Sequence, residues 1–240
     1  MKNAAVILLV VLWTSAAPLV VQADPLRTVV YHFSIDASGF GNLPASSGVE
    51  LLYDNGVGAA SGARTGKIEV TVVQATPDGG LVVDGGETID RADKPLQTIR
   101  CALYGATTDV VCDLNVGATL EELMLLTYLG RQFLDTSRLD DKGHWHTTPH
   151  VKSGTMDIQS DFTVSKVDGQ KITITVDREE RNGGYRSTTT GNLLYDAAMD
   201  VPDSIRLETA ATQTRGEADV NLDCRLLSDS MAKTGSQNPH

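Results

Sequence analysis

Aromatic residues are scarce: they make up 5% of the 240 residues, with two tryptophans, and only three cysteines are present. So few rings leave little from which to build a stacking platform for bases. Cations are also scarce, with 20 Lys and Arg against 31 Asp and Glu and a net charge of −11. Nucleic acid and anionic membrane surfaces are held by basic patches, so this balance argues against both as partners. Catalytic signatures are missing too. There is no G-x-S-x-G elbow and no D-x-D-x-D-G calcium loop. The stretch Gly56 to Gly62 has the glycines of a phosphate-cradling loop but neither its lysine nor its strand-to-helix setting, so it reads as an ordinary loop. The acidic positions Asp78, Asp84, Asp93, Asp140 and Asp168 are scattered, and most read as turn formers beside glycine. Hydrophobic residues make up 41% and charged residues 21%, a globular rather than disordered composition.

The one long apolar run stands at the start. Met1-Lys2-Asn3 is followed by AAVILLVVLW, then by Thr14, Ser15 and the helix breaker Pro18, and Val21-Gln22-Ala23 offers a cleavage site before Asp24. This three-part pattern reads as a secretory signal peptide over residues 1–23. The run is near the lower limit for a membrane-spanning helix and is interrupted, which favours cleavage over anchoring. Residues 24–227 then form a single domain, with a small, polar tail at 228–240 expected to be disordered. The expected location is periplasmic or secreted, with no transmembrane segment after cleavage.

Export permits disulfides. Cys101 and Cys112 flank LYGATTDVV. Symmetric pairing about Gly105 to Thr108 places them opposite each other, within reach of a cross-strand bond. Cys224 shares its alternation with Val220, Leu222 and Leu226 and reads as a small buried hydrophobe.

Alternation of apolar and polar residues dominates the rest. Leu26 to Ile35 opens as a strand, and Val49 to Tyr53 is a short strand between Gly- and Ser-rich loops. Lys67 to Ala75 returns through Pro77-Asp78-Gly79. A three-residue loop, Val167-Asp168-Gly169, would set Phe162 and Val164 opposite Ile174 and Ile172. A loop at Arg215-Gly216 would set Ile205, Leu207, Thr209 and Ala211 opposite Leu226, Cys224, Leu222 and Val220. Arg178 to Arg181 reads as a solvated strand end, and Thr188 to Thr190 as an exposed polar face.

One segment breaks the alternation. In Ala118 to Leu134, Thr119 and Glu122 fit a capping box, and Leu120, Leu123, Met124, Thr127 and Tyr128 recur at helical spacing. A buried helix is expected over 119–134. With about 10 to 12 antiparallel strands and no βαβ signal, the fold class is mainly β. The arrangement expected is one curved sheet, or an open half-barrel, with the helix on its concave face. A two-sheet β-sandwich is the alternative.

The order of strands, one apolar helix, a strand with Gly143 and Trp145, and then hairpins resembles the open half-barrel lipoprotein carriers of the bacterial periplasm. It is also similar to uncharacterised secreted bacterial families with a G-x-x-x-YD segment before a Pro-led strand, here Gly191, Tyr195, Asp196 and Pro202. The resemblance implies a hydrophobic cavity under the sheet, with Leu120, Leu123, Met124, Tyr128 and Trp145 as candidate lining, and a lipid or other apolar small molecule as ligand. The function expected is therefore that of a non-catalytic envelope binding protein without a cofactor. A structural protein of the envelope that pairs with a protein partner is the first alternative. The second is a metal-dependent hydrolase. His144 and His146 project to one side of a strand and His150 follows a proline, so the three could ligate a metal such as zinc.

Overall fold

The computed structural model describes residues 26–39, 62–75, 81–90, 99–103, 110–112, 119–129, 144–147, 157–182, 184–199, 201–213 and 216–231. They form eleven strands and one helix. The strands are β1 (Arg27–Ser38), β2 (Gly62–Ala75), β3 (Leu81–Ile89), β4 (Ile99–Leu103), β5 (Val110–Cys112), β6 (His144–Thr147), β7 (Asp157–Asp168), β8 (Lys171–Asn182), β9 (Tyr185–Asp196), β10 (Val201–Gln213) and β11 (Gly216–Asp229). The helix α1 (Leu120–Thr127) lies between β5 and β6 in sequence.

All strands belong to one antiparallel sheet in the order β5-β4-β3-β2-β1-β11-β10-β9-β8-β7-β6. The first strand is thus central, and the last strand returns to pair with it. β5 and β6 are the two ends of this order, and no described pairing joins them, so the sheet is not closed into a barrel. This is the curved single sheet with one helix; the sandwich alternative does not hold.

Burial follows strand parity. Val29, Tyr31, Phe33, Ile35 and Ala37 on β1, Ile68, Val70 and Val72 on β2, and Val220, Leu222 and Cys224 on β11 point to one face and are buried. Such alternation is what one packed face and one wet face require. Fully burying a side chain of this size contributes about 1.5–3 kcal/mol, and the row across β2, β1, β11 and β10 is the spine of the core. Phe33 lies opposite Gly66, and a Cβ on that glycine would come within 2.8 Å of the ring. The missing side chain leaves room for the ring over β2. On the same face, the Tyr31 hydroxyl reaches over β11 and donates to the carbonyl of Pro202 at 2.8 Å, tying β1 to β10.

Two hairpin registers differ from expectation, both by two residues. Val164 pairs with Ile174 and Phe162 with Val176, and the turn is Gly169-Gln170 with Gly169 at φ 62°. This two-residue turn alone would set Val164 against Thr175 and Phe162 against Asp177. A bulge between Val164 and Lys166 absorbs the extra residue and restores the face. In the last hairpin Ile205 faces Cys224, Leu207 faces Leu222, Thr209 faces Val220 and Ala211 faces Ala218, so the loop is one residue earlier than expected. A shift of two keeps every side chain on its face, so hydrophobic alternation cannot detect it.

Other boundaries move as well. β11 runs through Ser228 to Asp229, which faces Val29, so the expected tail begins inside a strand; 232–240 lie outside the described residues. Asp84 sits in β3 rather than in a turn. Arg178 is buried rather than solvated, with its Nε donating to Glu180 at 2.8 Å. The expected strand at Val49 to Tyr53, the turn at Pro77 to Gly79, and the leader at 1–23 fall outside the described residues.

Candidate functional site

The helix explains the site, because both of its ends do something other than pack. Its capping box forms as the sequence indicates: the Thr119 hydroxyl accepts from the Glu122 N–H at 3.2 Å, and the Glu122 carboxylate accepts from the Thr119 N–H at 2.9 Å. It ends at Thr127, well before Leu134. Tyr128 N–H bonds back to the Leu125 carbonyl and Leu129 N–H to that of Leu126, a tightened last turn before Gly130. The Thr127 hydroxyl donates to the Leu123 carbonyl at 2.8 Å and competes for the groups that would continue the ladder.

The buried face of α1 is not the stripe that the spacing suggests. Leu120 and Tyr128 of that stripe are buried, but so are Leu125, Leu126, Leu129, Glu121 and Glu122, while Leu123 and Met124 are only half-buried against the core. Two glutamates are therefore carried into the interior. They meet a third, Glu87, which stands at an inward position of β3 opposite Ile68 and is 1% exposed.

The three carboxylates have different partners. Glu121 is held by Arg64 of β2 through two bonds of 2.6 Å, from Nε to Oε1 and from Nη2 to Oε2. This two-pronged fork is the arrangement in which a buried ion pair is best compensated. Glu87 Oε2 accepts from the Thr119 hydroxyl at 2.5 Å. Glu87 Oε1 and Glu122 Oε1 are buried with no hydrogen-bond partner. Burial, and then the neighbouring Glu121 charge, push the Glu87 carboxyl up to about 8, against the pull of the Thr119 hydroxyl bond. Burial likewise raises Glu122 to about 7, against its two bonds at Thr119. Near neutrality these two groups carry protons that ordinary glutamates have lost.

The other end of the helix is apolar. A cavity of about 210 Å³ is lined by Val29, Val70, Val72, Leu81, Val83, Leu129 and Val201, with Ala75 and Arg27 beside them. Leu26 and Met231, 58% and 60% exposed, stand at its mouth. Arg27 is the one charged residue among the described lining residues. It is occupied by an ion pair with Asp229 and by the Met199 carbonyl at 2.6 Å, which together fix the mouth.

The residues singled out from the sequence are distributed unevenly over these features. Leu120 and Tyr128 are buried in the core. Leu120, Leu123, Met124 and Tyr128 are not among the described cavity-lining residues; Leu129, two residues past the end of α1, is. Trp145 lies on β6, the far edge of the sheet, opposite Phe162. His144 and His146 lie opposite Thr163 and Asp161, and His150 is outside the described residues. Among the described residues no group of three or more His, Cys, Asp or Glu is arranged to hold a metal ion. Cys101 is opposite Cys112, the register a cross-strand bond requires. Cys224 is buried and unpaired; burial raises its thiol far above the usual range, which keeps it inert. No helix among the described residues is long and apolar enough to cross a membrane.

The chain matches no protein-family model and no curated protein. The site therefore stands on its own chemistry. Its polar half was missed in the sequence because glutamates on a helix are read as solvated. One signal was available. Glu87 falls at an inward position in the alternation Leu81, Val83, Gly85, Glu87, as does Arg64 in the alternation with Ile68 and Val70.

Proposed function

We propose that this is an exported, non-catalytic binding protein of the cell envelope that holds an apolar, lipid-like group between its sheet and its helix. The observation that carries this reading is the cavity at the C-terminal end of α1, whose floor is Val29, Val70, Val72 and Val83. An apolar void of about 150 Å³ already accepts a benzene ring, so about 210 Å³ admits a single ring or a stretch of one acyl chain. Whole small-molecule sites are usually about 300–1,000 Å³, so the rest of a larger ligand would lie outside, past Leu26 and Met231. Export is supported by the pattern of residues 1–23. A disulfide between Cys101 and Cys112 is supported by their register and by that compartment.

The test is titration of the purified protein with the fluorescent apolar probe N-phenyl-1-naphthylamine, together with native mass spectrometry for co-purified lipid. Saturable binding that Val70→Trp abolishes is expected, since the larger ring would fill the floor. Absence of probe binding and of any co-purified apolar molecule overturns the reading. A second reading, an envelope interaction protein that accepts a partner strand, is favoured by the two ends of the sheet at β5 and β6. Cross-linking at these strands in the native host distinguishes it.

A further inference from the structure

The carboxylates at the N-terminal end of α1 are an expensive arrangement with no part in forming the cavity. Two buried carboxylate oxygens, Glu87 Oε1 and Glu122 Oε1, lack partners, and both residues are at most 2% exposed. A buried acceptor without a donor is costly, and a buried unpaired charge costs far more. The same two side chains meet at one residue, Thr119, through its hydroxyl and its N–H. Thr119 is the cap on which the first turn of the helix depends.

Among the described residues, the charged groups facing this cluster are few. Glu121 is neutralised by the Arg64 fork from β2. From β11 the Cys224 thiol feels the Glu121 charge. At the far end of the helix the Tyr128 hydroxyl, raised to about 12 by burial, faces Arg178 and Glu180 of β8. Among the described residues, the guanidinium at the N-terminal end, that of Arg64, bonds Glu121, and no cation acts on Glu87 or Glu122.

We propose that Glu87 and Glu122 form a proton-held latch: while their carboxyls carry protons the N-terminal turn of α1 stays seated on β2 and β3, and their ionisation under mildly alkaline conditions unseats it. Ionisation places two negative charges beside Glu121 and the one Thr119 hydroxyl, without water to screen them. The turn is relieved by swinging Thr119 and Glu122 toward solvent. Because Leu129 at the other end of the helix forms part of the cavity lining, the same movement would loosen that lining. That second consequence rests on the cavity being the binding site; the latch itself does not.

Hydrogen exchange over residues 119–129, corrected for the intrinsic pH dependence of exchange, reads the latch without a ligand. In the full-length protein, protection is expected to fall at least tenfold between pH 6 and pH 9, as linkage to groups that ionise more readily when exposed requires. The double variant Glu87→Gln and Glu122→Gln is expected to hold protection level across that range, glutamine being equally suited to the third position of a capping box. Carbon-13 NMR of the glutamate carboxyls in the unmutated protein gives a readout independent of how the variant folds. Two signals are expected still in the protonated position at pH 6. Protection that stays level from pH 6 to 9 in the unmutated protein, a double variant that keeps the full slope, or glutamates that all titrate near their ordinary value would each overturn the latch. Probe affinity measured over the same range separates the two ideas. Loss of protection with unchanged affinity retains the latch and removes its link to the cavity.

Discussion

The two ends of α1 pack against the same sheet by opposite chemistry. At the Thr119 end, three glutamates are buried and one half-buried arginine reaches them, where aliphatic residues would be expected. At the Leu129 end, aliphatic residues are present but do not fill the space, leaving about 210 Å³. Neither end is optimised for stability. A fully packed aliphatic interface would be more stable than either, since buried ion pairs rarely exceed a hydrophobic replacement and cavities forfeit contacts. The difference teaches that the helix is seated by polar groups at one end so that the other need not be close-packed.

The most severe way to break this comparison is Arg64→Ala. It leaves Glu121, fully buried, without its fork, and a loss of about 3–5 kcal/mol in chemical denaturation is expected. At the apolar end, Leu129→Ala should cost less, about 2–3 kcal/mol, because that side chain already borders empty space. It should also enlarge the cavity, to be seen as tighter binding of a bulkier apolar probe. Equal losses from the two variants would erase the distinction between the ends.

The pH dependence comes next. Glu87 and Glu122 are raised in the folded state, so the fold binds protons that the unfolded chain has released. Their contribution to stability is complete below about pH 4.5. It declines as pH rises, ending near 7 for Glu122 and near 8 for Glu87. The slope is at most about 1.4 kcal/mol per pH unit for each proton held, and urea midpoints measured from pH 5 to 9 check the sign. Thr119→Ala should cost about 1 kcal/mol through loss of the cap, in addition to the bond to Glu87, and lower helicity in circular dichroism. The smallest effect is expected on the outer face. Arg206 and Asp223 pair at 2.7 Å but remain largely exposed, so Arg206→Ala should leave the unfolding midpoint where it is.

Legibility from the sequence differs in kind from element to element. The strands and their inward faces were readable because alternation of period two leaves a mark on every residue. The capping box was readable because Thr119 and Glu122 act on each other within three positions. Registers were not. The hairpins of β7 with β8 and of β10 with β11 each move by two residues from the symmetric guess, and only the bulge after Val164 and the closed loop lengths decide them. The helix was over-extended for a related reason, because Phe133 and Leu134 continue an apolar pattern that says nothing of where the ladder stops.

By itself, then, the chain determined a mainly β protein with alternating strands, one capped helix, and Cys224 and the β1 row as core. Those properties follow from neighbours a few residues apart. Tertiary structure alone decided that Arg64, Glu87 and Glu121, from three separate elements, share one buried site, and that the floor of the cavity is drawn from β1, β2 and β3. The physical reason is that a carboxylate is expected in water until its surroundings are known. Whether it is instead buried, protonated or paired depends on which strand the sheet brings beside it.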